Sequence, residues 1–351
     1  MRALFPLLLT FCALTACVAT TGQSTDTIAT RLANELEQNY LFPDIGKEYA
    51  AYLRTSEGLL SDSSTDPRAY ANSLTKQLQA IHPDGHLRVH YEPDATDESE
   101  TPARSNPART RAIDEAAAIL PGIAYLRMNL FPGNQQTLQE LNAFIKAQAN
   151  NENLIIDLRG HRGGGLAEMD VLFSNLFSAT TNLVQMDVRQ AVDDTGQSPI
   201  KDTKTTIRIA GPEGVVRRQH VAIPIQRPSF ADASVYVLTS NYTVSAAEHL
   251  AFALQKAKRA TIIGEATYGG AHFGGDVNLG DDFYAFIPVG RTFDPESGES
   301  WEESGVRPNI KVKADAALIQ ALLQIGVDRD VAIAADNDVD FDIPTRKRLG
   351  G

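Results

Sequence analysis

Leu154-Ile155-Ile156-Asp157-Leu158 is the stretch that most limits what this chain can become. Neighbouring side chains on a strand point to opposite faces, so a run apolar at nearly every position belongs to a strand covered on both sides. Upstream, Ile123 to Leu130 reads as a second strand and Pro132-Gly133 as a turn. Leu138, Leu141 and Ile145 then fall on one face of a helix. Strand, helix, strand is a βαβ unit, and a parallel or mixed sheet flanked by helices follows.

The buried strand runs into Arg159-Gly160-His161-Arg162-Gly163-Gly164-Gly165. Consecutive glycines allow positive φ and let bare N–H groups point outward, as an anion hole requires. A tight turn is the plain alternative, although tight turns seldom use three glycines in a row. The GxGxxG order of a nucleotide loop is absent. A second junction lies at Ser234 to Leu254: a short strand (Val235 to Leu238), a polar turn (Ser240 to Thr243), then a helix carrying Ala246, His249, Leu250 and Phe252 to Leu254. Ser245 sits on the hinge, with its hydroxyl near the positive end of the helix, where negative charge is favoured. Ser245-Ala246-Ala247-Glu248 is also a capping box, worth about 1 kcal/mol to the helix and nothing to chemistry. The serine becomes a nucleophile only if a base, an orienting carboxylate and an oxyanion hole converge on it.

Three amphipathic helices are expected before these motifs, carrying Ile28, Leu32, Leu36 and Tyr40, then Ile45 to Leu53, then Tyr70, Leu74, Leu78 and Ile81. With a strand at Leu87 to Tyr91 they form a small helical N-terminal domain, 27–91. His86 follows a Pro83-Asp84-Gly85 turn at the mouth of that strand. Residues 92–119 read as a linker, 120–335 as an α/β domain and 336–351 as a charged tail containing Thr345-Arg346-Lys347-Arg348. Within the α/β domain, about Asp187 to Pro228 reads as a hairpin insertion roofing the site, and Ala314 to Ile325 as a final helix.

The first residues give one positive charge, an apolar run too short to span a bilayer, and Leu14-Thr15-Ala16-Cys17. That is a signal peptide (1–16) ending in what resembles a bacterial lipobox, with Cys17 lipidated and 17–26 as a tether. An ordinary secretory signal cleaved near Ala16 is the alternative. Val18 in place of Asp, by resemblance to Gram-negative lipoproteins, favours the outer membrane facing the periplasm. Cys12 leaves with the signal, so no intramolecular disulfide is expected. With 44 Asp+Glu against 32 Lys+Arg, a nucleic-acid partner is not expected. The P-loop, zinc-cluster and HExxH patterns are missing, so neither a metal nor a nucleotide cofactor is expected.

In their order, IIDLRGHRGGG, VYVLTSNYTVSAAEHLAFAL, ATIIGEATYGGAH and WEESGVRPNI resemble the catalytic domain of the C-terminal-processing (tail-specific) serine proteases, over about residues 120 to 313. NYLFP and DGHLRV extend the resemblance to Thr27, toward the branch containing interphotoreceptor retinoid-binding protein and the tricorn protease core. The resemblance implies a ClpP/crotonase-like α/β domain and a serine-type endopeptidase or carboxy-terminal peptidase acting on peptide or protein substrates. Two departures matter. Gly270 stands where members with a Ser-Lys dyad carry lysine, and 92–119 is too short for their PDZ module. The tricorn-like branch implies Ser245 as nucleophile, His86 as base and Glu302 as the orienting acid, directly or through a hydroxyl, with Glu303 solvated. Oxyanion donors would be the N–H groups of Ala246 and of Gly163 or Gly164. His272 is the competing base, and Tyr268 and Gly270 belong to the same substrate-facing loop. Arg162 either binds a substrate carboxylate or reaches water. A binding protein without turnover and an esterase are the rival functions.

Overall fold

The computed structural model describes residues 27–55, 66–93, 111–339, 341, 343 and 344. Helix α1 (Ile28–Asn39) begins where Thr27 Oγ1 accepts the Thr30 N–H, α2 (Pro43–Leu53) has proline in its first turn, and α3 (Pro67–Ile81) is capped by Asp66. Strand β1 (Arg88–Tyr91) follows. The expected helices are present, but they are not a free-standing domain. Leu32, Leu36, Tyr49, Leu74 and Leu78 share one core with Val188, Leu279, Ala285 and Ile287 from a sheet contributed by later sequence. Each short helix has a single apolar stripe, and a sheet covers it better than two neighbours of the same size.

The expected linker gives way at its end to β2 (Ile113–Leu120), which turns at Gly122 (φ +77°) into β3 (Ile123–Met128). Ala116, Ala117 and Ala118 give β2 no hydrophobic alternation, and that hid it from the sequence pattern. After α4 (Gln135–Ala147) comes β4 (Asn153–Asp157), whose Leu154, Ile155 and Ile156 are wholly buried. Its lone charge is matched: Arg159 reaches Asp157 Oδ2 at 2.6 Å, and the Tyr125 hydroxyl donates to the same oxygen at 2.6 Å.

Beyond α5 (Ala167–Leu176) the chain forms β5 (Thr181–Arg189), a short α6 (Gln190–Asp194), β6 (Thr206–Ile209) and β7 (Val215–Ala222). It then re-enters the first sheet as β8 (Ser234–Thr239), α7 (Ala246–Lys256) and β9 (Thr261–Gly264). Strands β10 (His272–Gly280), β11 (Phe283–Phe293) and β12 (Ile310–Lys311) lead to helices α8 (Ala317–Ile325) and α9 (Arg329–Asp338). Helix α9 crosses the boundary expected at 335.

One sheet, ordered β12-β9-β8-β4-β3-β2, is parallel except for β2, so the mixed sheet is as expected. Helices α4, α5 and α7 pack on one face, and α8 and α9 on the other. The second sheet, β1-β11-β5-β7-β6 with β10 on β11, is antiparallel. The hairpin expected within 187–228 is its β6–β7 edge, joined to β5, with its second strand at 215–222 and not at 221–225. A buried and a half-buried arginine disguised that strand: Arg218 bonds Asp193 at 2.7 Å, and Arg217 bonds Asp187 at 2.6 Å. The signal peptide, Cys17, the tether and Thr345 to Arg348 lie outside the described residues. Among the described residues no helix is long and apolar enough to cross a membrane.

Candidate active site

The polar turn before Ser245 is fastened to the end of β4. The Ser240 hydroxyl donates to the Arg159 carbonyl at 2.6 Å, the Thr243 hydroxyl to the Leu158 carbonyl at 2.8 Å, and the Val244 N–H to the His161 carbonyl at 3.2 Å. So held, Ser245 adopts φ +59° and ψ −121°, a region L-residues occupy only under constraint. Glycines 163 and 164 also have positive φ (+96° and +128°), and a Cβ on Gly163 would stand 2.8 Å from Ser245 Cβ. Only bare backbone fits beside this serine.

Of Gly163 and Gly164, both expected as oxyanion donors, Gly163 has its N–H engaged. The Gly163 N–H donates to His161 Nδ1 at 3.0 Å. His161 is wholly buried with its ring 4.1 Å from that of Phe131, and burial, helped by the Arg162 charge, lowers its pKa to about 3. It is therefore neutral and keeps accepting. The N–H groups of Gly164 and Ala246 have no acceptor among the described residues.

Glu248, read from sequence as a cap, does more. Its Oε2 accepts from the Ser245 N–H at 2.7 Å and the Gly270 N–H at 2.9 Å, and its Oε1 from the Gly269 N–H at 2.7 Å and the Thr267 hydroxyl at 2.5 Å. One carboxylate thus ties the serine's own backbone to the Thr267–Gly270 loop. Complete burial pushes its carboxyl up to about 7 against the pull of those four donors. The available signal was an acid flanked by Ala246, Ala247 and Leu250 on a helix with no polar face.

That loop in turn seats His86. A Cβ at Gly270 would lie 2.5 Å from His86 Cε1 and 3.0 Å from Nδ1, so the imidazole rests on the glycine itself. Asp84 shapes the turn: its Oδ1 accepts the N–H of His86 at 2.9 Å and of Leu87 at 3.2 Å. Gln79 grips the Asp84 backbone at both ends, N–H at 2.8 Å and carbonyl at 2.6 Å. His86, Ser245, Ala246 and Gly164 line one cavity of about 600 Å³, as do Arg162, Tyr268, Gly270 and His272.

Glu302 stands behind the cavity wall. Its Oε1 accepts the Gly85 N–H at 2.8 Å, and its Oε2 accepts the N–H of Ala271 at 2.6 Å and of His272 at 3.0 Å. The residue before His86 is glycine, so Glu302 meets an N–H there and no hydroxyl. Glu303 is exposed. His272 Nδ1 bonds Asp84 Oδ2 at 2.9 Å and lies 3.8 Å from Glu302 Oε2, while the Tyr40 hydroxyl also donates to Asp84 Oδ2, at 2.7 Å. Burial alone would lower the His272 pKa; the bond and charge of Asp84, with Glu302, outweigh it and raise it. Burial likewise opposes the charge on Asp84, yet His272 and the backbone donors bring its pKa down to about 2. Asp84, His272 and Glu302 approach within 4.8 Å of one another, close enough to share an ion, but their lone pairs already face N–H and O–H donors.

Fold and cleft together define the class: the chain is a serine peptidase. More narrowly, it belongs to peptidase family S41, whose family model matches residues 122–312. Solved structures share the fold. The photosystem II D1 C-terminal processing protease is 17% identical with a TM-score of 0.53, over 87% of this chain and 98% of that one. A lipoprotein from Streptococcus agalactiae is 14% identical with a TM-score of 0.56, over 86% and 96%. The tricorn protease is 12% identical with a TM-score of 0.52, over 90% of this chain and 36% of that one.

Proposed function

We propose that this chain hydrolyses peptide bonds with Ser245 as nucleophile, His86 as general base and Glu302 as the acid that holds the base in place. The observation that carries the reading is the single cavity bordered by Ser245 and His86, with Gly163 and Gly270 leaving no room for any side chain between backbone and reacting groups. His86 takes the Ser245 proton as the oxygen attacks the substrate carbonyl. The N–H groups of Ala246 and Gly164 receive the oxyanion, where one such donor is typically worth about 10² to 10³ in rate. His86 then returns the proton to the leaving amine, and water repeats the sequence on the acyl-enzyme.

Glu302 acts through the Gly85 backbone, and Asp84 through those of His86 and Leu87. His272, ion-paired and with a raised pKa, serves as their counter-ion and not as the base. The apolar stretch ending at Cys17 supports an envelope lipoprotein on the periplasmic side of the outer membrane. Reaction with a fluorophosphonate, lost in Ser245→Ala, tests the nucleophile. Peptides cleaved in preference to p-nitrophenyl esters separate peptidase from esterase, and an unlabelled wild-type protein would overturn the reading in favour of a binding protein. Loss of membrane association in Cys17→Ser tests the anchor.

A further inference from the structure

One turn along α7 from Ser245, His249 borders the same cavity, and nothing in the peptidase reading uses it. It is the buried end of a polar chain that starts at the half-buried Thr205 and Asp170. The Thr205 hydroxyl donates to Asp170 Oδ2 at 2.8 Å, Asp170 Oδ1 lies 2.9 Å from His220 Nε2, and His220 Nδ1 lies 2.9 Å from His249 Nε2. Three elements, α5, β7 and α7, each supply one link. Both rings are buried, with His220 wedged against Phe173 and His249 against Trp301.

The carboxylate fixes one end of the proton order along such a chain. A carboxylate only accepts, so His220 carries its hydrogen on Nε2. In the neutral form of His220 this is the ring's one hydrogen, so its Nδ1 accepts and His249 Nε2 donates. Burial lowers the His249 pKa well below the ordinary value, so His249 takes no second proton. Its remaining nitrogen, Nδ1, has no partner among the described residues.

We propose that Asp170 and His220 are positioning residues that fix the tautomer of His249, leaving its Nδ1 as a bare acceptor in the cavity wall. Side chains of i and i+4 on a helix lie roughly 6 Å apart. Lining the same cavity as Ser245 four residues further along, His249 is assigned to the side chain of the residue whose carbonyl Ser245 attacks. The site selects a side chain ending in an O–H or N–H donor at that residue. This rests on the cavity being the substrate cleft.

Two measurements test it, one of them independent of turnover. Nitrogen-15 spectra of ring-labelled protein at pH 8, with the His249 signals identified by their loss in His249→Phe, should show Nδ1 as a pyridine-type nitrogen. A protonated Nδ1, produced by a chain running the other way, overturns the proposal. Peptides differing only as serine against alanine, or glutamine against methionine, at the attacked residue should differ in kcat/KM by about tenfold in favour of the donor. His249→Phe should erase that ratio, and equal rates in the wild type overturn the selectivity. Failure to cleave any peptide, with no fluorophosphonate labelling, would count instead against the peptidase reading, and the spectrum would still decide the tautomer.

Discussion

Glu302 Oε1 lies 2.8 Å from the N–H of Gly85, a bond across 217 positions of sequence that joins the end of the catalytic region to the turn before His86. The same carboxylate holds Ala271 and His272 with its other oxygen, so it clamps the two loops between which the imidazole sits. Glu302→Gln replaces one acceptor oxygen with an amide NH2 that faces N–H donors. Displacing a reacting group by about 1 Å costs roughly 10²-fold, so kcat should fall by about that factor with KM little changed. Glu303→Gln, at the exposed neighbour, should leave both constants near the wild type, and an equal loss in the two variants would contradict the clamp.

Gly270 and His86 exclude one another's alternatives. A Cβ at 270 would stand 2.5 Å from His86 Cε1, so the imidazole fills the space from which a lysine at 270 would reach the serine. Gly270→Ala should displace His86 and lower kcat/KM by roughly 10²-fold without unfolding the protein. The informative variant is the pair His86→Ala with Gly270→Lys. It should recover measurable peptide cleavage that His86→Ala alone lacks, whereas no recovery in a folded double variant would mean that the two bases do not share a space.

Ser245 holds positive φ at a cost to the fold. Glycine occupies that backbone region freely, and relief of such strain is worth about 1 kcal/mol or more. Ser245→Gly should therefore be inactive and more stable in denaturant titration. Ser245→Ala should be inactive without the gain. A Ser245→Gly protein less stable than Ser245→Ala would show that the turn stores no strain.

Much of this site could be read before folding because its pieces sit at strand ends, where apolar runs stop abruptly at glycine or serine. Leu154 to Leu158 and Val235 to Leu238 announced two parallel strands, and both junctions open on the cavity. The antiparallel sheet was hidden because its strands are half polar inside: Arg218 and His220 are made compatible with burial only by partners on other elements. Asp84 and Glu248 were missed for a related reason. Each looks like a local turn or cap residue, and its further partners, His272 and the Thr267–Gly270 loop, are distant in sequence.

The buried charges make stability depend on pH in a direction opposite to activity. His272 and the backbone donors hold the Asp84 carboxyl below its ordinary 3.8 despite burial, so its contribution is present above pH ~4 and lost as pH falls through the folded value. The raised pKa of His272 works the other way: its contribution is full below the unfolded value of ~6.5 and lost as pH rises through the folded one. Glu248 rises from 4.5 to about 7, so the folded state binds a proton more tightly than the unfolded chain. Its burial costs the fold about 3 kcal/mol as pH climbs between those values, and Glu302, also raised, adds in the same direction. The thermal midpoint should therefore peak near pH 4.5–5.5 and decline by on the order of 5 °C toward pH 8. An imidazole base is inactive when protonated, so kcat/KM should instead climb from its acid limb as pH rises. Scanning unfolding from pH 3 to 9 beside a pH–rate profile measures both. Asp84→Asn should lower the midpoint and flatten its alkaline decline, because His272 loses the partner that raises its pKa. A wild-type midpoint that rises from pH 5 to 8 would mean that these carboxylates are ionised at no cost in the folded protein.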